Sequence, residues 1–163
     1  MQLVQQIIIR APIIRVFDLV RSVDAHTATS STIGGQAVAG RTSGLAELND
    51  VTTYSARFFG LRFKLATRVT ALNPPHSMTE TLARGSFLEF GHVYTLRPLE
   101  SGAVELTDLF SFRSPAGVIG ALFDRMILKP VMIRAMTDRL EGLRQIAESD
   151  EWRRFLPDAE RLK

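Results

Sequence analysis

Residues 114–149 read SPAGVIGALFDRMILKPVMIRAMTDRLEGLRQIAES, and the periodicity of this stretch decides the kind of fold the chain makes. Apolar residues at Ile119, Leu122, Met126, Pro130, Ile133, Met136, Leu140, Leu143 and Ala147 recur at steps of three and four, with Phe123 and Ile127 widening the stripe. That period is helical. Asp124, Arg125, Lys129, Arg134, Asp138, Glu141, Arg144 and Glu148 mostly fall off the stripe, so one face is expected to be buried and the other wet. Ser114 followed by Pro115 is a start signal, because a serine hydroxyl can cap free amides and proline loses nothing at a first helical position. At the standard rise, residues 117–148 would run about 48 Å. One small element cannot cover that length, so something broad must lie beneath it. Pro130, inside the run, is expected to kink or interrupt the helix.

The broad element is legible upstream. From residue 36 to Arg113 the apolar period falls to two, in segments 36–40, 45–48, 51–59, 61–72, 77–84, 87–97 and 103–113. Turn signals separate them: Arg41-Thr42-Ser43-Gly44, Asn49-Asp50, Gly60, Asn73-Pro74-Pro75, Gly85-Ser86 and Glu100-Ser101-Gly102. This is a meander of antiparallel strands, in which the first two segments are either separate or one bulged strand. Ahead of it, Val4 to Arg10 reads as a strand, and Pro12 opens a helix carrying Ile13, Val16, Phe17 and Val20 that fades near Ser22. Residues 24–33, with His26 among them, form a short second helix or a loop that breaks at Gly34-Gly35. The expected class is α+β: a curved antiparallel sheet wrapped around a long C-terminal helix, with two short helices after the first strand.

Composition bounds the function. The 163 residues are 45% hydrophobic and 23% charged, as in ordinary globular chains, and no apolar run reaches the ~20 residues that span a bilayer. No linker divides the chain, so one domain is expected over residues 1–149 with an extension at 150–163, either a terminal helix docking Trp152 and Phe155 or a mobile tail. The start of the chain lacks the features of a signal peptide, and a cytoplasmic location is expected. The absence of cysteine excludes disulfides, thiolate metal sites and a cysteine nucleophile. A net charge of +3, from 20 basic and 17 acidic residues spread along the chain, gives no expectation of nucleic-acid binding or stable membrane insertion. His26, His76 and His92 are not at metal-ligand spacing, and no phosphate loop or nucleophile elbow is present, so neither a metal nor a cofactor is expected. Oligomeric state is left open.

Alternation along the strands places polar side chains on apolar faces. Val104, Leu106, Asp108, Phe110 and Phe112 share one face; Leu88, Phe90, His92, Tyr94 and Leu96 share the next, and Met78, Glu80, Leu82 and Arg84 the one after. With a three-residue loop near Ser101, Pro98 pairs with Gly102 and His92 falls directly opposite Asp108; with a three-residue preceding turn, Glu80 lands beside His92. Burying such groups costs free energy unless they are paired. The row is therefore either a satisfied core network or the polar end of a cavity, and the number of polar residues on adjacent strands favours the cavity. Tyr54, Phe90 and Phe110 fit the wall of an apolar pocket and fit a plain core equally well.

Several motifs carry a family resemblance: Ala-Pro-Ile-Ile-Arg-Val-Phe-Asp at 11–18, Gly-Arg-Thr-Ser-Gly-Leu at 40–45, and Pro-Pro-His-Ser-Met-Thr-Glu at 74–80. Arg-Gly-Ser-Phe-Leu-Glu-Phe-Gly-His at 84–92 and Leu-Thr-Asp-Leu-Phe-Ser-Phe-Arg-Ser-Pro-Ala-Gly at 106–117 extend it. With the order of elements, they make the chain resemble, from about Gln6 to Glu148, the START/Bet v 1-like superfamily, the polyketide cyclase/dehydrase and lipid-transport group, in its bacterial ligand-binding branch. The resemblance implies a helix-grip fold with an internal cavity for an apolar small molecule, lipid, polyketide or isoprenoid-like. Glu80 stands where an acidic residue is common in the branch, Arg84 and His92 are as the branch has them, and Asp108 lies in its Thr-Asp pair. Tyr94 stands where a second histidine is frequent.

The candidate ligand-binding set is His26, Tyr54, Glu80, Arg84, Phe90, His92, Tyr94, Asp108, Phe110, Phe123 and Ile127. Three functions compete: a carrier of an apolar small molecule; a cyclase or dehydratase in which His92, held by Asp108 or Glu80, is the general base; and a protein-interaction module. One scaffold can host all three.

Overall fold

The computed structural model describes residues 1–30, 32, 34–58 and 61–156. Strand β1 (Gln2–Ile9) holds the β-branched run Ile7-Ile8-Ile9 and stops at Ala11-Pro12, where Pro12 precedes helix α1 (Ile13–Arg21). Val16, Phe17 and Val20 are on its buried face, as their spacing predicts. Ser22 ends α1 and caps α2 (Val23–Thr29), its hydroxyl accepting from the Ala25 amide at 3.2 Å. The meander follows: β2 (Gln36–Gly40), β3 (Val51–Phe58), β4 (Leu61–Asn73), β5 (Ser77–Arg84), β6 (Glu89–Pro98) and β7 (Val104–Arg113). All are antiparallel in one sheet of order β1-β7-β6-β5-β4-β3-β2. The expected turn at Gly60, residue Phe59 of the third segment, Ser31, Ile33 and the tail from 157 to 163 lie outside the described residues.

Residues 45–48 are not a strand, nor half of a bulged one. Leu45 makes a single bridge to Ser22, and the buried Ala46 donates its amide to Arg21 O at 2.9 Å. The Asp50 carboxylate gathers this loop by accepting from the Glu47 amide at 2.8 Å and from Arg41. Local side-chain bonds of this kind compete with strand pairing.

The C-terminal stretch is helical from Gly117 to Glu148, but in three pieces: α3 (Gly117–Phe123), a π turn (Asp124–Leu128) and α4 (Lys129–Glu148). Pro130 supplies the reason, since it lacks an amide hydrogen and its ring collides with the carbonyl of Met126 in a regular α-helix. Buried positions then fall at Gly120, Asp124, Leu128, Met132 and Met136, in unbroken steps of four. Ile119, Leu122, Met126, Pro130 and Ile133, expected inside, are exposed, as are Phe123 and Ile127 beside them, whereas Met136, Leu140, Leu143 and Ala147 are buried as expected. Ser114 does not cap α3. The helix starts at Ala116 in the left-handed region (φ 73°), while Ser114 gives its amide and hydroxyl to the buried Asp124 carboxylate at 2.9 and 2.5 Å. Gly120 admits this folded-back start, because a Cβ there would stand 1.9 Å from Pro115 O.

Helix α4 packs on α1, α2 and β1. Two apolar clusters result. The larger joins Phe17, Met78, Tyr94, Leu106, Leu140, Leu143 and Trp152; the smaller joins Leu3, Phe110, Phe112, Leu128, Met132 and Met136. On α4 the change from one to the other falls between Met136 and Leu140, and Arg139 stands at that boundary. Past Glu148, a 3₁₀ turn (Asp150–Arg154) carries Trp152 into the larger cluster beneath the Arg15 guanidinium, 4.3 Å from the ring centroid.

Candidate functional site

Strand pairing builds the polar row, in a register different from the simplest reading. The β6–β7 loop closes with the Leu99 amide on Ala103 O at 2.9 Å, so Pro98 pairs with Val104 and Tyr94, not His92, stands opposite Asp108. The shift is two residues in the pairing sum, which leaves every side chain on its expected face. His92 reaches Asp108 diagonally: its Nδ1 lies 2.8 Å from Asp108 Oδ1, donating to the carboxylate and leaving Nε2 with the lone pair when the ring is neutral. On the other side Glu80 pairs with His92 as expected. Gly91 lets the strands approach there, since a Cβ would lie 2.4 Å from Glu80 O.

Two more elements complete the cluster. Helix α2 delivers His26, stacked on Tyr54 of β3 with centroids 4.5 Å apart. Helix α4 delivers Arg139, whose Nη1 donates to His26 Nδ1 and whose carbon Cζ lies 5.1 Å from the centre of the Tyr94 ring. A guanidinium always donates. His26 Nδ1 is therefore the acceptor, and its proton sits on Nε2. Burial, with help from the Arg139 and His92 charges, holds the His26 pKa well below its ordinary 6.5. Burial likewise pushes the Glu80 carboxyl up, and raises the phenols of Tyr54 and Tyr94. His92 is sandwiched between Tyr94 (5.3 Å, 3° between planes) and Phe110 (4.4 Å, 20°).

These groups close one end of a cavity of about 520 Å³ between the sheet and the C-terminal helices. Its walls are apolar, with Phe90, Phe110, Leu128, Met132 and Met136 prominent. Its rim includes the solvent-exposed Phe63, Ile119 and Phe123, so it opens between α3 and the start of β4. Of the sequence-predicted residues, His26, Tyr54, Glu80, Phe90, His92, Phe110 and Phe123 line it. Tyr94 and Asp108 are fully buried one layer behind. Arg84 and Ile127 are outside the lining. Arg84 is exposed because β5 has already parted from β6 beyond the Thr81–Gly91 pair, and Ile127 points outward on the π turn.

Arg139 was missed. Its signal was available: it lies three residues after Met136 and four before Leu143, a cation on the apolar stripe. Three polar atoms of the cluster, Tyr94 Oη, Asp108 Oδ2 and Arg139 Nε, are buried without a hydrogen-bond partner among the described residues. Among the described residues no group of three or more His, Asp or Glu side chains is placed to hold a metal ion, and no helix is long and apolar enough to cross a membrane.

No sequence-family profile matches the chain, and no curated protein sequence does. In three dimensions it is similar to the Zhui aromatase/cyclase from a Streptomyces species, with a TM-score of 0.73 and 12% identity over 91% of this chain and 93% of that one. It is also similar to a START superfamily protein from Mycobacterium smegmatis (TM-score 0.67, 15% identity, 88% and 97% covered). A protein from Thermus thermophilus matches at a TM-score of 0.68 and 15% identity, over 89% and 95% of the two chains. With these proteins the chain shares an α+β helix-grip fold, a curved antiparallel sheet against a long C-terminal helix, as expected from the sequence. At these identities the likeness speaks for the fold, and the chemistry rests on the side chains described above.

Proposed function

We propose that this protein binds an apolar small molecule of lipid, polyketide or isoprenoid-like character in the cavity between the sheet and the C-terminal helices, with the polar cluster holding one end. The observation that carries this reading is the combination of an apolar 520 Å³ cavity with a cluster of polar groups converging at its closed end. Apolar walls supply affinity and a few placed polar groups supply orientation. A packed core would fill that volume with side chains.

The test uses N-phenyl-1-naphthylamine, a neutral dye that brightens in apolar surroundings. Saturable binding, displaced by apolar compounds, is expected for the native chain. Ala135→Phe, which puts a ring into the cavity, is expected to abolish binding while the protein still melts cooperatively. Dye binding that survives this variant would assign it to the exposed apolar face of α3 and sink the proposal.

The Asp108–His92 pair favours a second reading, cyclase or dehydratase chemistry. An imidazole held through Nδ1 presents Nε2 as a base for an activated carbon or hydroxyl. Compounds recovered after incubation and analysed by chromatography with mass spectrometry separate the two readings: a carrier returns them unchanged, a cyclase returns an isomer of the same mass with a different retention time, and a dehydratase returns them lighter by one water.

A further inference from the structure

Arg139 is 5% exposed, and among the described residues no carboxylate oxygen comes within ion-pair distance of its guanidinium. Arg21, Arg41 and Arg144, all less buried, each have an acidic partner: Asp18 and Glu47, Asp50, and Glu141. Of these four arginines, the one that most needs a counter-ion is the one without it among the described residues. Its Nη1 is spent on a neutral histidine ring, its Nη2 makes a long bond of 3.4 Å to Val20 O, and its Nε has no acceptor. Burying a charge costs several kcal/mol per ion unless it is paired and hydrogen-bonded. The face of Tyr94 returns part of this.

The nearest carboxyls do not fill the gap. Asp108 gives Oδ1 to His92 and turns no hydrogen bond toward Arg139. Glu80 faces the cavity, and its burial favours the neutral acid. Arg139 presents its guanidinium to the closed end of an apolar cavity, and Glu80 lines the same space.

We propose, resting on the cavity reading above, that Arg139 anchors the carboxylate of an apolar monocarboxylic acid, whose hydrocarbon body lies along Met132, Met136, Phe90 and Phe110 toward the mouth. The planar fork of a guanidinium matches a carboxylate. A neutral alcohol or ketone would leave the buried cation without a counter-charge. A dianion such as a phosphate monoester would bring one negative charge more than the single guanidinium balances, beside the Asp108 carboxylate.

The experiment displaces N-phenyl-1-naphthylamine with decanoate, decanol and methyl decanoate at pH 8, where the acid is ionised. Decanoate is expected to bind at least about tenfold more tightly than decanol or the ester, the lower end of what a charge-assisted hydrogen bond is worth. In Arg139→Gln the ratio of acid to alcohol affinity is expected to fall to near one, and Arg139→Lys to keep part of it. Because the quantity read is a ratio within one protein, a uniform loss of affinity does not imitate the effect. If Arg139→Gln does not fold by circular dichroism, Arg139→Lys carries the test, and a ratio undiminished by loss of the fork overturns the proposal. Equal displacement by acid and alcohol in the native chain overturns it outright. A native chain that takes up no dye overturns the cavity reading itself, a different result from dye binding without preference for the acid.

Discussion

Glu80 and His26 face the same cavity from opposite sides, and burial drives both toward their neutral forms, with opposite consequences for stability. The folded-state pKa of His26 lies below its unfolded value of 6.5, so the unfolded chain binds the extra proton. Its contribution is intact above that pH and is lost as pH falls through the window below it. For Glu80 the folded-state pKa lies above the unfolded 4.5, so its contribution is fully present below pH 4.5 and is lost as pH rises through the folded value. Glu80→Gln removes that loss. The variant is expected to melt higher than the native protein at pH 8, with the difference closing as pH approaches 4.5. A variant that melts lower at pH 8 would mean that an ionised Glu80 is held favourably by Arg139, and the burial argument would be wrong.

Along the C-terminal helix, one π turn decides which residues are inside. A stripe read at a constant 3.6 residues per turn is in phase from Met136 onward and out of phase before it, Pro130 and Ile133 included, because the wider turn ahead of Pro130 moves the buried positions to steps of four. The consequence is measurable with the same substitution at two sites. Leu140→Asp puts a carboxylate at a position 3% exposed and is expected to cost about 4 kcal/mol or more. Leu122→Asp, at a position 56% exposed, is expected to change stability by less than about 0.5 kcal/mol. Both are read by urea denaturation, and similar losses at the two sites would refute the assigned phase.

The fold as a whole is tied at its end by a residue expected to lie in an extension. Trp152 is 3% exposed and packs in the same cluster as Phe17, Leu106 and Leu143, with Phe155 against it. The segment from Asp150 onward is therefore part of the core as far as Leu156, which is also buried. Trp152→Ala is expected to cost about 3–5 kcal/mol, the usual loss for a buried large aromatic, in urea denaturation followed by circular dichroism. A loss under about 1 kcal/mol would show that the tail merely rests on the surface.

Period determined the strands of the sheet, though it wrongly added residues 45–48: the alternation in residues 77–84, 87–97 and 103–113 put Glu80, His92 and Asp108 on one face, and no error in loop length could move them while the parity held. The helical period likewise determined α1 and, from Met136 onward, the apolar buried face of α4, since local propensity and burial agree there. What tertiary structure decided was contact between elements distant in sequence. That Asp108 bonds His92 diagonally, with Tyr94 standing opposite it, depends on one turn. That His26 of α2 meets Arg139 of α4 across 113 residues depends on how two helices cross above the sheet, which no local pattern encodes. Whether the polar row faces packed side chains or open volume depends on the sum of all of them. Cavity volume is a difference between the space the sheet encloses and the side chains that fill it, and it is fixed only when every element is in place.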